Sequence, residues 1–449
     1  MDHRLELAVT KVLPGVRADL ESLVRIPSVS ADPAAAGEVR RSAELTARLF
    51  GEAGMPEVAV LDDVPGMRPA VLARYPPPPG MPTVLLYAHH DVQPAGAVRD
   101  WTTPPFEPVE RDGRLYGRGT ADDKAGIAAH LAAIRAFGGR PPVGVTVFVE
   151  GEEEIGSPTL AAFLERHRAE LAADAIVLAD GDNFATGVPA FTTTLRGIAS
   201  CTVEVGALRR PVHSGSYGGA APDALTALCR LLSTLHDDRG EVAVAGLRRG
   251  TIAGISYPVD RFRAEAGLLD GVGLVGGGTL AERLWAKPAV TVLGIDAPAT
   301  CSAPNALQAT ARAKVGVRVA PGDDAASAAA ALAGHLREHA PWGVRVTVTG
   351  GETGQPHVID ASGPVYRAAR ESWQAAYGTE VAEIGGGGAI PFVADFARAF
   401  PAATILVTSP GGDPLANPHT VDENLHLGDF ARACLAETMF LARCARLDI

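Results

Sequence analysis

"VLLYAHHDVQPAG", residues 84–96, decides how this chain is read. Val84, Leu85, Leu86 and Tyr87 make the near-continuous apolar run expected of a strand covered on both faces. That run ends in His89, His90 and Asp91. Polar side chains just past the carboxyl end of a buried strand lie where open α/β sheets bind ligands. The reading therefore turns on what ends the other strands.

Three further runs answer. "VGVTVFVEGEEE" (143–154) is β-branched and ends in Glu150, Glu152, Glu153 and Glu154. "AIVLADGDN" (175–183) ends in Asp180 and Asp182, and "ATILVTSPGGDPLANPH" (403–419) delivers His419 through a Gly/Pro loop. Between the first two runs, "GRGTADDKAGIAAHLAAIRAF" (117–137) places Asp122 and Asp123 at the start of a helix with an Ile127, Leu131, Ile134 stripe. Taken singly, each cluster has an ordinary reading: a hydrogen-bonded loop, a solvated acidic face, an N-cap pair. Together they do not, because carboxylates gathered at one sheet edge repel unless a cation compensates them. Histidine nitrogen mixed with carboxylate oxygen suits zinc and similar cations, and the lack of a nearby thiolate points to a catalytic rather than a structural site. Two metals about 3.5–4 Å apart would need a bridging carboxylate.

The rest of the chain sets the frame. At 449 residues two domains are expected, since single cores stop growing below this length. Residues 5–24 read as an amphipathic helix interrupted near Pro14, and Pro76 to Gly80 as a connector before the first strong strand. From about Thr193 the pattern becomes one of half-exposed strands (195–207, 307–321, 343–351) and two amphipathic helices (221–236, 323–340), which indicates an inserted α+β domain. Residues 240–300 are glycine-rich and resist assignment. A net charge of −12 argues against nucleic acid or an anionic membrane as partner. Five cysteines without CxxC spacing form no disulfide framework, so the expected compartment is cytoplasmic. The N-terminal residues have no signal-peptide core, and no stretch is apolar enough to span a bilayer.

"YAHHDVQPAG", "LYGRGTADDKAG", "EGEEEIGSPTL", "VHSGSYGG" and "ANPHTVDEN" occur in the order of the motifs of one family, which the chain resembles over nearly its whole length. It is the co-catalytic zinc peptidase family of carnosinase, carboxypeptidase G, aminoacylase and succinyl-diaminopimelate desuccinylase. The Val-Gln-Pro at 92–94 is most similar to the cytosolic dipeptidase and carnosinase branch.

The resemblance implies an α/β catalytic domain with a mostly parallel sheet (1–192 and 351–449). A lid and dimerisation domain of two helices and four strands (193–350) is inserted into it. It implies two divalent ions per chain, zinc first, with manganese or cobalt as alternatives. The ligands would be His89, a bridging Asp122, and Asp180 on one side with Glu154 and His419 on the other. Asp91 would orient His89, and Glu153 would be the general base for the attacking water. His90 should face away from the metals, Asp180 is preferred to Asp182, and Glu152 is expected in solvent. Asp122–Asp123 matches a cis peptide of the family.

For substrate, the resemblance implies that His213 polarises the scissile carbonyl from the other subunit of a homodimer. Arg318 would grip a carboxylate, and Gly387 and Gly388, in the run Gly385 to Gly388, would offer backbone N–H groups. Two positions depart from the family and bear on specificity: Ala389 stands where a hydroxyl residue is usual, and Cys301-Ser302-Ala303-Pro304 replaces Val-Ile-Pro. The expected activity is hydrolysis of dipeptides or short peptides with a free C-terminal carboxylate. N-acyl-amino-acid deacylation or desuccinylation is the alternative within hydrolases. A non-catalytic peptide- or metal-binding protein is the alternative outside them.

Overall fold

A computed structural model describes residues 2–252, 254–388 and 391–447. The chain divides into two compact units. The first takes the residues up to Thr193, then Ile359–Ile384, then the chain from Pro391 onward; the second takes Thr194–Val358 and the run that starts at Gly385.

The first unit is built on a six-stranded sheet. Its order is Glu57–Leu61, Ala70–Tyr75, Gly144–Glu150, Thr83–His89, Ala175–Leu178, Thr404–Val407. The last four run parallel, and the first two are antiparallel to their neighbours. Every residue of Gly144–Glu150 and of Ala175–Leu178 is buried, as is Thr83–His89 beyond its first residue. The apolar runs are thus fully covered strands. Tyr87, Phe148, Phe163, Phe392 and Phe396 pack ring against ring against this sheet, with centroids 4.7–5.7 Å apart along the chain of contacts.

Helix Lys124–Ala136 is buried on all sides through Ile134, so its alanine-rich sequence serves close packing rather than an amphipathic face. Asp123 caps it, accepting the Gly126 N–H at 3.2 Å, an interaction worth about 1 kcal/mol. The first helix, Asp2–Val24, runs unbroken through Pro14, contrary to the expected interruption. Pro14 and Thr10 are both exposed, so the carbonyl that loses its N–H partner faces water.

The second unit carries an antiparallel sheet in the order Ala289–Asp296, Thr310–Val319, Gly197–Gly206, Arg345–Gly354. Helices Ala224–Ser233 and Ala325–Glu338 cover one face, each started by an aspartate N-cap, Asp223 and Asp324. Strand Ala289–Asp296 forms one edge and exposes Val292, Leu293 and Ile295. The glycine-rich stretch that resisted assignment contains helix Val259–Glu265 and a π-helical turn, Glu282–Ala286.

Candidate metal centre

The parallel strands bring their polar ends to one edge of the sheet. His89 is the last residue of its strand and is fully buried. Its Nδ1 lies 3.0 Å from the Asp91 backbone oxygen and 3.4 Å from Asp91 Oδ1. Its Nε2 faces Asp122 Oδ1, 3.0 Å away. Asp122 turns its other oxygen to His419 Nε2 at 2.9 Å, and the same nitrogen is 3.3 Å from Glu154 Oε2. One ligand atom each from His89, Asp122 and Glu154 lie within 4.8 Å of one another, as do those from His89, Glu153 and Asp180. Five residues read as ligands and the one read as base therefore converge. The Asp122–Asp123 peptide is cis.

His90 turns to the Pro69 carbonyl, 2.8 Å from its Nε2, and burial drops its pKa to about 4. Asp182 joins neither group of ligand atoms. Glu152 corrects an expectation: it is buried, not solvated. One of its oxygens accepts the Thr159 N–H (2.8 Å) and hydroxyl (2.6 Å), and the other accepts the Arg68 N–H at 3.0 Å. These bonds pin the acidic turn from behind.

Sequence reasoning missed two further holders of that turn. The Asp91 carboxylate also accepts the backbone N–H groups of Glu153 (3.2 Å) and Glu154 (3.1 Å). Gln93 donates to both oxygens of Glu154, from its backbone N–H at 3.0 Å and its side-chain amide at 2.8 Å. The only sequence signal was the presence of Gln93 in the Val-Gln-Pro stretch.

The electrostatics follow from this crowding. Burial opposes charge on His89, but its contacts with Asp122 and Asp91 outweigh that and raise its pKa well above the ordinary value. Asp122 is held well below the carboxylate range, its burial overcome by His419 and His89. Asp122 and Glu154 lift His419 to about 10. Burial, with Asp122 and Glu153 adding, pushes Asp180 well up; burial, with Glu154, Asp122 and Asp91 adding, lifts Glu153 to about 7. Among the described residues no N–H or O–H donor reaches the carboxylates of Glu153 and Asp180. Desolvated carboxylates without donors beside two imidazoles suit a hard or borderline dication, so the donor set fits the ions that the motifs imply.

The model of peptidase family M20/M25/M40 matches residues 85–443. The chain belongs to this family. It is 38% identical over 367 residues to a cysteinylglycine-S-conjugate dipeptidase of Corynebacterium striatum, covering 80% of each chain. It is 27% identical over 410 residues to the human Beta-Ala-His dipeptidase, covering 84% of this chain and 78% of that one. The fold matches that of human carnosine dipeptidase 1, with a TM-score of 0.81, 24% identity and 99% of both chains covered. It also matches the dipeptidase Dug1p of Saccharomyces cerevisiae, with a TM-score of 0.80, 21% identity and 100% and 99% coverage. As in these structures, a mostly parallel sheet is joined to a separate small antiparallel one. Membership of this metallopeptidase family implies metal ions. Among the described residues no helix is long and apolar enough to cross a membrane.

The remaining candidates of this M20 member lie in the second unit. His213 is exposed at the end of a two-residue strand, and its Nδ1 accepts the Gly215 N–H at 3.1 Å. Arg318 is half-buried in strand Thr310–Val319. Gly387 gives its carbonyl to Arg196 Nε at 3.2 Å, and Gly388 lies beside the Arg318 guanidinium. Cys301 is exposed. Ala389 and Ile390 lie outside the described residues.

Proposed function

We propose that this chain is a cytoplasmic, homodimeric dipeptidase that uses two zinc ions to cleave dipeptides with a free C-terminal carboxylate. The observation that carries the proposal is the convergence of His89, Asp122, Glu154, Asp180 and His419 around Glu153, whose carboxylate has no donor of its own. His89, Asp122 and Asp180 would hold one ion; Asp122, Glu154 and His419 would hold the other. Such ions supply Lewis-acid polarisation of the scissile carbonyl and a lowered pKa for water.

The chain's own groups do the rest. Glu153 takes a proton from the attacking water at its carboxylate and returns it to the leaving amine. Asp91 fixes the His89 ring and, through two backbone amides, the turn that carries Glu153 and Glu154. Arg318 binds the substrate carboxylate through its planar fork, assisted by N–H groups of Gly387 and Gly388. His213 polarises the carbonyl in the active site of the second copy. Its exposure and the apolar edge Val292, Leu293 and Ile295 support pairing of two chains. The Corynebacterium relative points to Cys-Gly and its S-substituted forms as first substrates, and the human relative to β-Ala-His.

The test is a mixed panel of these dipeptides, other dipeptides and N-acyl amino acids, with products read by mass spectrometry. Cleavage of dipeptides at rates well above those of N-acyl amino acids is the expected result. Preference for N-acyl amino acids would replace the reading with a deacylase, and no cleavage of either class would replace it with a binding protein.

A further inference from the structure

The motif "ANPHTVDEN" contains a carboxylate that the proposed mechanism leaves unused: Glu423, four residues after His419 and fully buried. Its Oε1 accepts two consecutive backbone N–H groups, from Ala121 at 3.0 Å and from Asp122 at 3.2 Å. Its Oε2 accepts Nη1 of Arg118 at 2.5 Å. Arg118 is buried too, and its Nη2 donates to the Thr420 carbonyl at 3.1 Å. The Glu423 carbonyl closes the arrangement by accepting the Gly117 N–H at 2.9 Å. Two loops about 300 residues apart are thereby stitched together next to Asp122 and to His419, whose side chains meet at 2.9 Å.

The His419 loop has an irregular course. Asn417, His419 and Asp422 all have φ of 54–60°, a region that Asn, Asp and His enter more readily than other non-glycine residues. Asp422 is also tied down, by the Thr102 N–H at 2.9 Å and hydroxyl at 2.6 Å, but this tie does not reach the Asp122 loop.

We infer that Glu423 is a positioning residue that sets the distance between Asp122 and His419, with Arg118 as its buried counter-charge. The inference rests on reading those two residues as ligands. A Gln at 423 could still accept the Ala121 and Asp122 N–H groups, but its amide N–H2 would oppose the Arg118 donors. The ligand loops would then lose their common anchor while each keeps its own sequence. Partners that orient metal ligands in this way typically contribute 10–100-fold in metal affinity.

The test strips metal from the wild-type chain, from Glu423→Gln, and from the paired variant Arg118→Met/Glu423→Gln, which removes the Arg118 charge together with that of its partner. Zn2+ is then titrated against a chromophoric chelator at 25 °C, with folding followed by far-UV circular dichroism. The expected result is folded metal-free protein whose weaker Zn2+ site loses about 10–100-fold in affinity in both variants. Excess Zn2+ should bring kcat back to within a few-fold of wild type, which a loss of folded protein would not allow. If Glu423→Gln does not fold, the paired variant decides. Zn2+ affinity within two-fold of wild type in a folded variant would overturn the inference, as would loss of the metal-free fold in both, which assigns the pair to stability alone. A wild-type chain that binds no Zn2+ would instead remove the ligand reading beneath it.

Discussion

The two units hold their candidate residues in opposite ways. In the first, His89, Asp91, Asp122 and Glu154 are buried or half-buried and locked to each other or to backbone amides at 2.8–3.4 Å. In the second, His213 is exposed and occupied only with capping its own short turn, while Arg318 has no carboxylate partner among the described residues. Groups that hold a cation and a water must be arranged before substrate arrives, since ordering them during the reaction would cost rate. In the first unit ties among side chains and to backbone amides fix His89, Asp91, Asp122 and Glu154 in place, whereas His213 and Arg318 in the second are held by few partners among the described residues.

The largest expected effect lies in the first unit. Glu153→Gln keeps the shape of the side chain but removes the proposed base, so turnover should fall by about 10²–10⁴-fold or more while both metals are retained. Steady-state kinetics with metal analysis on the same sample would show it. Glu154→Gln should behave differently, losing metal first, because this carboxylate is clamped by Gln93 and faces His419.

The next test probes the second unit. His213→Ala should retain both metals and lose most of its activity. Mixing it with Glu153→Ala under conditions of subunit exchange should restore part of that activity. A mixed dimer would contain one site with an intact Glu153 from one chain and an intact His213 from the other. Heterodimers that form and stay inactive would return His213 to its own chain, and the contrast between the units would lose its functional meaning.

The smallest effect separates the carboxylates proposed to bind metal from one that only shares their strand ends. Glu150 ends its strand like the others, but it is fully buried and accepts the Tyr87 hydroxyl at 2.8 Å on one oxygen. Burial lifts its pKa to about 8. A carboxyl with a raised folded-state pKa stabilises the fold fully below its unfolded value and loses that contribution as pH rises through the folded one. Between pH 5 and 8 the loss should be on the order of 3 kcal/mol. Glu150→Gln should flatten that fall in Tm across the same range and keep its metals. Equal slopes for both proteins would show that Glu150 is ionised in the fold.

Much of this was legible in the sequence because strand ends announce themselves. A fully apolar run terminated by His or Asp/Glu gave the sheet, its parallel sense and the edge where His89, Glu153, Glu154, Asp180 and His419 meet. What stayed hidden were partners that are backbone groups far along the chain. Glu152 looked like a surface acid because nothing in its neighbourhood signals the Arg68 amide that it accepts. The second task of Asp91 and the clamp of Gln93 were invisible for the same reason. Local rules also failed where tertiary packing or water took over, as at Pro14, and in residues 240–300, where glycine content masked a short helix and a π-helical turn.

The claim that these residues form a two-metal hydrolytic centre is tested most directly by one titration. The metal-free chain receives Zn2+ in fractions of an equivalent, and hydrolysis of Cys-Gly is read at each step. Activity should be absent at the start, rise with added metal, and level off at two equivalents per chain. Undiminished hydrolysis by the metal-free chain, or a plateau at one equivalent that His419→Ala leaves unchanged, would contradict it.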